Sequence, residues 1–247
     1  PPSWTLSRAE IERAFTDKTK LVVLNSPMNP ASKVFSRDEL QLIADAVAAT
    51  GAYAVCDEVY EHLAFDGAAH VPLASLPGMR ERCLRIGSAG KTFSLTGWKV
   101  GYISGPEALT SVIAKAHQFV TFTTVPALQY GVAVGLDLPD AYFTGLAAEQ
   151  ARKRDFLRAT LDGIGLPTLP CQGTYFLTAD IARFGFEGSD YDFCKHITAA
   201  AKVAAVPMSV FYHPMSETVP RTLVRFCFCK KDAVMEEAAR RLQGYFG

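Results

Sequence analysis

The chain has 247 residues, with 25 Lys plus Arg against 25 Asp plus Glu, and 49% of it is hydrophobic. That length and apolar content suffice for one large domain or two modest ones, and the balanced charge points away from nucleic acid and from an anionic membrane surface as partners. A small molecule is the expected substrate. Neither a secretory leader pattern nor an apolar run of about 18 residues is seen, so export and membrane insertion are not expected.

Ser7-Arg8-Ala9-Glu10 and Ser36-Arg37-Asp38-Glu39 each set a serine three residues ahead of a glutamate, the reciprocal arrangement that caps a helix start. Helices are therefore predicted near 7–15 and 36–50, the second stopped by Gly51. Short apolar runs at 20–25, 53–56, 83–87 and 100–104 read as strands. Alternation of such runs with helices predicts an α/β fold with a largely parallel sheet sandwiched by helices. Pro106 opens a further helix to about Gln118, and helices near 126–137 and 140–163 follow. Beyond Gly163-Ile164-Gly165 the pattern changes: strands are predicted at 174–178, 203–206 and 222–228, with helices near 190–201 and 231–245. The expected organisation is a large α/β domain over 1–145 and a smaller C-terminal α+β domain over 146–247.

Six cysteines (Cys56, Cys83, Cys171, Cys194, Cys227 and Cys229) lack the paired spacing of a zinc site and read as buried thiols of a reducing, cytoplasmic protein. Cys227-Phe228-Cys229 is open to two readings, a metal or redox pair or two small packers on one strand face. The five histidines show no ligand spacing, so no metal is expected.

Three predicted strands run into polar signals: Asn25-Ser26-Pro27-Met28-Asn29-Pro30, Asp57-Glu58-Val59-Tyr60 and Ser88-Ala89-Gly90-Lys91. Open α/β sheets bind ligands beyond the carboxyl ends of their parallel strands, so parallel neighbours would place Asn29, Asp57, Tyr60, Ser88 and Lys91 along one crevice. A lysine amine can form a Schiff base, and a carboxylate facing a pyridine nitrogen makes pyridoxal phosphate an electron sink. Lys91 with Asp57 suggests that chemistry. Taken singly, Ser88-x-x-Lys91 also suits a serine acyl-transfer enzyme, Asp57 a helix cap and Tyr60 a packing ring, whereas Arg225 in an apolar strand needs a partner.

Asn29-Pro30, Asp57-Glu58-Val59-Tyr60, Ser88-x-x-Lys91, Gly97-Trp98-Lys99 and Arg225 together resemble the class I/II aminotransferases of fold type I, which use pyridoxal 5′-phosphate. More narrowly, the segment 90–101, His117-Gln118, 173–177 and 225–228 resemble the methionine, glutamine-phenylpyruvate and kynurenine aminotransferase branch. The resemblance implies amino transfer from an L-amino acid to a 2-oxo acid through a Schiff base on Lys91, which would also carry the substrate proton. It implies that Asp57 binds the pyridine nitrogen, that Tyr60 and Asn29 meet the phenolate oxygen, and that Ser88 and Lys99 hold the phosphate. Asn29 and Arg225 would bind the substrate carboxylate, and the Asn29–Pro30 bond would be cis. Lys99 departs from the commoner arginine, keeping the charge without the bidentate fork. The intact enzyme is expected to be a homodimer. Family members are longer at the amino end, and the start at Pro1-Pro2 without methionine leads to the expectation that a phosphate loop, a ring-stacking aromatic and a cross-dimer tyrosine lie outside this sequence. A β-eliminating C–S lyase on the same fold and a catalytically inert fragment are the alternative readings.

Overall fold

The computed structural model describes residues 2–247, and the chain divides into two compact units, crossing from one to the other for the last time between Gly145 and Leu146. One unit comprises Thr5–Pro27 and Val34–Gly145. The other comprises Met28–Lys33 and Leu146–Gly247, with the described residues up to Trp4.

In the first unit the elements run α1 (Arg8–Ala14), β1 (Leu21–Asn25), α2 (Arg37–Thr50), β2 (Tyr53–Asp57), β3 (Cys83–Ser88), α3 (Ala89–Thr92), β4 (Gly101–Ser104), α4 (Glu107–Val120) and α5 (Pro126–Leu136). The two serine caps behave differently. At α2 the box closes: the Ser36 hydroxyl accepts from the Glu39 N–H at 3.2 Å, and the Glu39 carboxylate accepts from the Ser36 N–H at 3.0 Å. At α1 the Glu10 carboxylate instead accepts a hydrogen bond from the Ser7 hydroxyl at 2.6 Å, leaving only the half in which the Glu10 N–H donates to Ser7 Oγ at 3.2 Å. Gly51 ends α2 in the left-handed region with φ 68°, a conformation that costs glycine little. Leu40, Ile43, Ala44 and Val47 line the buried stripe of α2, while α1 buries no residue.

The sheet order is β1-β2-β3-β4, parallel through β3, with β4 antiparallel against β3. Ala54 and Cys56 of the central β2 are wholly buried, as expected for a strand covered on both faces. Register sets Asn25 opposite Asp57, so the first two strands finish level.

The second unit holds α6 (Asp140–Gly163) from Leu146 onward, β5 (Phe176–Asp180), α7 (Asp190–Ala200), β6 (Val206–Pro207), β7 (Leu223–Cys227) and α8 (Asp232–Phe246). Its sheet is antiparallel in the order β5-β7-β6. Two strand expectations shift. β5 begins at Phe176 because Thr174 has φ +66° and its hydroxyl accepts the Phe176 N–H at 3.2 Å, a turn rather than a strand. β6 starts later than expected and is short, since Pro207 has no N–H to extend the ladder. Segment Met28–Lys33 joins this unit through Ser32, whose carbonyl accepts from the N–H groups of Gln172 at 2.8 Å and Gly173 at 3.1 Å and whose hydroxyl donates to Phe176 O at 2.7 Å. Among the described residues no helix is long and apolar enough to cross a membrane.

Ser36→Ala should cost about 1 kcal/mol, the usual worth of a side-chain cap, because it frees the Glu39 N–H on a helix that carries core residues. Ser7→Ala should cost less, since α1 buries nothing. Urea unfolding midpoints of the two variants check the ranking.

Candidate active site

Asp57 is held through its main chain from both neighbouring strands. Its carbonyl accepts the Asn25 side-chain amide at 2.9 Å and the Ser26 N–H at 3.2 Å, while the next N–H, of Glu58, donates to Ile86 O at 3.0 Å. The Asp57 side chain is half-buried, with Oδ1 3.4 Å from the Val59 nitrogen. Tyr60 follows in a turn and is only 3% exposed. Ser88 ends β3 and α3 begins at the next residue, so Lys91 leaves the sheet within one helical turn; its Nζ lies 5.8 Å from the centre of the Tyr60 ring.

The loop carrying Lys91 folds back onto its own start. Ala89 N–H donates to Val100 O at 3.2 Å, and the Thr96 hydroxyl donates to Gly90 O at 3.2 Å. A Cβ on Gly90 would sit 3.0 Å from Thr96 Cα, so the close approach depends on glycine. Beneath the loop Ala89, Val100 and Val132 form a buried cluster with Phe93 and Leu128 against it. The Phe93 ring also meets Tyr142 at 5.7 Å, and Tyr142 donates its hydroxyl to Thr92 O at 3.3 Å. Lys99 is exposed, and both it and Ser94 have φ +56°, left-handed conformations that cost a non-glycine residue roughly 1–2 kcal/mol each. Such strain persists where the surrounding contacts impose it, as they do here.

Glu58, next to Asp57, is a carboxylate with 2% exposure. Arg85 Nε donates to it at 2.6 Å and His70 Nε2 lies at 3.1 Å, while the far end of Arg85 donates to Glu61 at 2.7 Å. Burial pushes the Glu58 carboxyl up, but His70 and Arg85 outweigh it and hold the group below its ordinary 4.5. Arg85 is shifted up by the same pairing with Glu58 and Glu61 in spite of its own burial. Asn25, Glu58 and Arg85 were not singled out in the sequence. A charged residue inside the apolar run of β3 was the available signal.

In the other unit the Asn29 side-chain oxygen accepts a hydrogen bond from Arg225 Nη1. The Arg225 guanidinium lies 3.9 Å from the Phe176 ring centre and 4.9 Å from that of Phe211, which restricts its swing. Asn29–Pro30 is cis as expected, and Ser26–Pro27 is cis as well. The seven residues expected at a site thus form two groups, Asp57, Tyr60, Ser88, Lys91 and Lys99 in one unit and Asn29 and Arg225 in the other.

Comparison with known proteins agrees with this arrangement of strands and loops. The sequence profile of the family described as aminotransferase class I and II matches residues 1–242. A kynurenine–oxoglutarate transaminase of Dictyostelium discoideum is 41% identical over 254 residues, covering 95% of this chain and 58% of its own length. The solved structure of N-succinyldiaminopimelate aminotransferase from Mycobacterium tuberculosis superposes with a TM-score of 0.93 at 40% identity, covering 98% of this chain and 62% of that one. YbdL from Escherichia coli, described as having a methionine aminotransferase function, superposes with a TM-score of 0.91 at 34% identity over 97% of this chain and 62% of its own. The fold is that of the pyridoxal-phosphate-dependent transferases of type I. The chain belongs to the class I and II aminotransferases, and it spans about three-fifths of the length of the relatives it matches.

Arg85→Met should destabilise the chain by about 3 kcal/mol, the scale of stranding one partner of a buried pair. Because the folded Glu58 carboxyl titrates below 4.5, its contribution is present above that value and is lost as pH falls through the lower folded one. Stability measured against pH should therefore fall less steeply on the acid side in Glu58→Gln.

Proposed function

We propose that this chain carries the cofactor- and substrate-binding residues of a pyridoxal 5′-phosphate-dependent aminotransferase, moving an amino group from an L-amino acid to a 2-oxo acid. The observation that supports it most is the placement of Lys91 just past the carboxyl end of β3, with Asp57 at the carboxyl end of the adjacent parallel strand, in a chain of this family. These residues fit the cofactor: an amine, a carboxylate and a buried tyrosine converge where open α/β sheets bind ligands, and Gly90 keeps the backbone beside Lys91 free of a side chain. When bound, pyridoxal phosphate supplies the carbonyl that takes up an amino group and the ring that withdraws electrons from the substrate Cα.

Lys91 is the residue that holds the cofactor at its C4′ carbon and moves the proton between that carbon and the substrate Cα. Asp57, its main chain fixed by Asn25, Ser26 and the sheet, keeps a proton on the pyridine nitrogen. Tyr60 and Asn29 donate to the phenolate oxygen. The Ser88 hydroxyl and the Lys99 ammonium hold the phosphate, Lys99 as a point charge without an arginine fork. Arg225, steadied by Phe176 and Phe211, takes the substrate carboxylate through paired charge-assisted bonds, with Asn29 beside it. In this reading the unit of Thr5–Pro27 and Val34–Gly145 is the cofactor-binding domain, and the unit of Met28–Lys33 and Leu146–Gly247 is the smaller domain that supplies Asn29 and Arg225.

A homodimer is supported by the exposed apolar face of α4 and α5 and the turn between them, where Phe119 is 88%, Val120 83%, Phe122 74% and Tyr130 77% exposed. The thiol state of all six cysteines suits a reducing cytoplasm.

With amino acid donors and a 2-oxo acid acceptor, Lys91→Ala should abolish amino transfer, and Asp57→Asn should lower kcat sharply because an amide cannot keep the ring nitrogen protonated. Arg225→Lys should mainly raise KM, by roughly ten- to a hundredfold for a lost charge-assisted bond of about 1.5–3 kcal/mol. Ammonia release without transfer to the acceptor would overturn the assignment in favour of β-elimination.

A further inference from the structure

The last residue of β7 and the second residue beyond it are cysteines, and the end of the strand brings their side chains together, Cys227 Sγ lying 3.3 Å from Cys229 Sγ. Phe228 between them is wholly buried, and its N–H donates to Tyr175 O at 3.0 Å. The Lys230 N–H then turns back to Phe228 O at 2.8 Å. This tight turn takes Cys229 off the extended course on which alternate side chains merely run side by side. Cys227 and Cys229 are both half-buried, whereas Cys56, Cys83, Cys171 and Cys194 are buried. Two residues of chain put Cα atoms no more than about 7 Å apart. That upper limit is close to the widest span a disulfide bridges.

The surroundings also favour the anionic sulfur. The Cys229 side chain hydrogen-bonds to Cys227, the Cys229 backbone N–H adds a second bond, and the charges of Lys230 and Arg225 assist, so that the Cys227 thiol falls to about 6 against the opposing effect of burial. Arg225 lies two residues upstream on the same strand. A half-buried thiol beside a second thiol and two cations is the environment of a reactive cysteine with a resolving partner.

We propose that Cys227 and Cys229 form a redox-active dithiol, in which Cys227 reacts with hydroperoxides and Cys229 resolves the product to a disulfide. In the first step the Cys227 sulfur attacks the outer peroxide oxygen; the S–O bond forms as the O–O bond breaks, and the leaving oxygen takes the proton that Cys227 gave up. In the second step the Cys229 sulfur attacks the sulfenic sulfur, the S–S bond forms, and the S–O bond breaks. The departing hydroxide leaves as water with the Cys229 proton. Two thiols lose two electrons in all, and one hydroperoxide is reduced to an alcohol and water. The dithiol uses none of the residues assigned to the cofactor and shares with the aminotransferase reading only Arg225, here a nearby charge and there the partner of the substrate carboxylate.

The test treats the whole chain with an equimolar amount of hydrogen peroxide near neutral pH, blocks remaining thiols with N-ethylmaleimide and maps the peptides by mass. The peptide containing both cysteines should appear two hydrogens lighter and unalkylated, and should accept two alkyl groups after reduction with dithiothreitol. Its oxidation should run about tenfold faster than that of glutathione under the same conditions. Cys229→Ser should stop Cys227 at the sulfenic acid, which dimedone tags. Full alkylation of both thiols after peroxide, a bridge from either to another cysteine, or oxidation no faster than glutathione would each overturn the proposal.

Discussion

A carboxylate with 2% exposure has to be compensated, and Glu58 is compensated from beyond its own strand by Arg85 on β3 and by His70. That requirement organises the end of β2. Glu58 separates Asp57 from the turn that buries Tyr60, so fixing Glu58 fixes the backbone on both sides of it. Asn25 and Ser26 grip the Asp57 carbonyl from β1, and the Glu58 N–H grips β3. Asp57 consequently stands on a strand end bonded from left and right, and its carboxylate meets the Val59 N–H at 3.4 Å. Positions on a rigid scaffold of this kind vary little in angle or depth, as the role proposed for Asp57 against one ring nitrogen requires.

The Lys91 loop reaches a comparable definition by other means. It is built from two short helical turns, Ala89–Thr92 and Thr96–Trp98, and it contains two non-glycine left-handed residues, Ser94 and Lys99. Both conformations are unfavourable alone. They persist because Phe93 is packed on Ala89, Val100 and Val132, and because the loop's return closes on Ala89 through the Val100 carbonyl. The unfavourable backbone thus falls at Lys99, the proposed phosphate lysine, and at Ser94 between it and the proposed Schiff-base lysine, where the proposed roles ask one loop to present two cations at separate points of one small molecule.

Much of this was legible in the chain. Local signals carried it: serine caps, Gly51, apolar runs and the polar residues that follow them predicted the order of elements and put Asp57, Ser88 and Lys91 at the ends of adjacent strands. What escaped depends on contacts distant in sequence. The Arg85 to Glu58 bond spans 27 positions, and the Ser32 bond to Phe176 that ties Met28–Lys33 to the C-terminal unit spans 144. Neither leaves a periodic trace. Thr174, Ser94 and Lys99 adopt positive φ without being glycine, so composition gave no warning, and the Thr174 turn is what displaced β5. Cys227 and Cys229 were read as a metal or redox pair or as two small packers on one strand face, and the end of β7 at Cys227 removes the basis of the packing reading.

The most direct test of the central claim is where the cofactor attaches. The chain is incubated with pyridoxal 5′-phosphate, reduced with borohydride, digested and mapped by mass. A phosphopyridoxyl group on Lys91, absent in Lys91→Ala and strongly reduced in Asp57→Asn, is the predicted result. A group found on Lys99 or spread over surface lysines, with Lys91 unmodified, would contradict it.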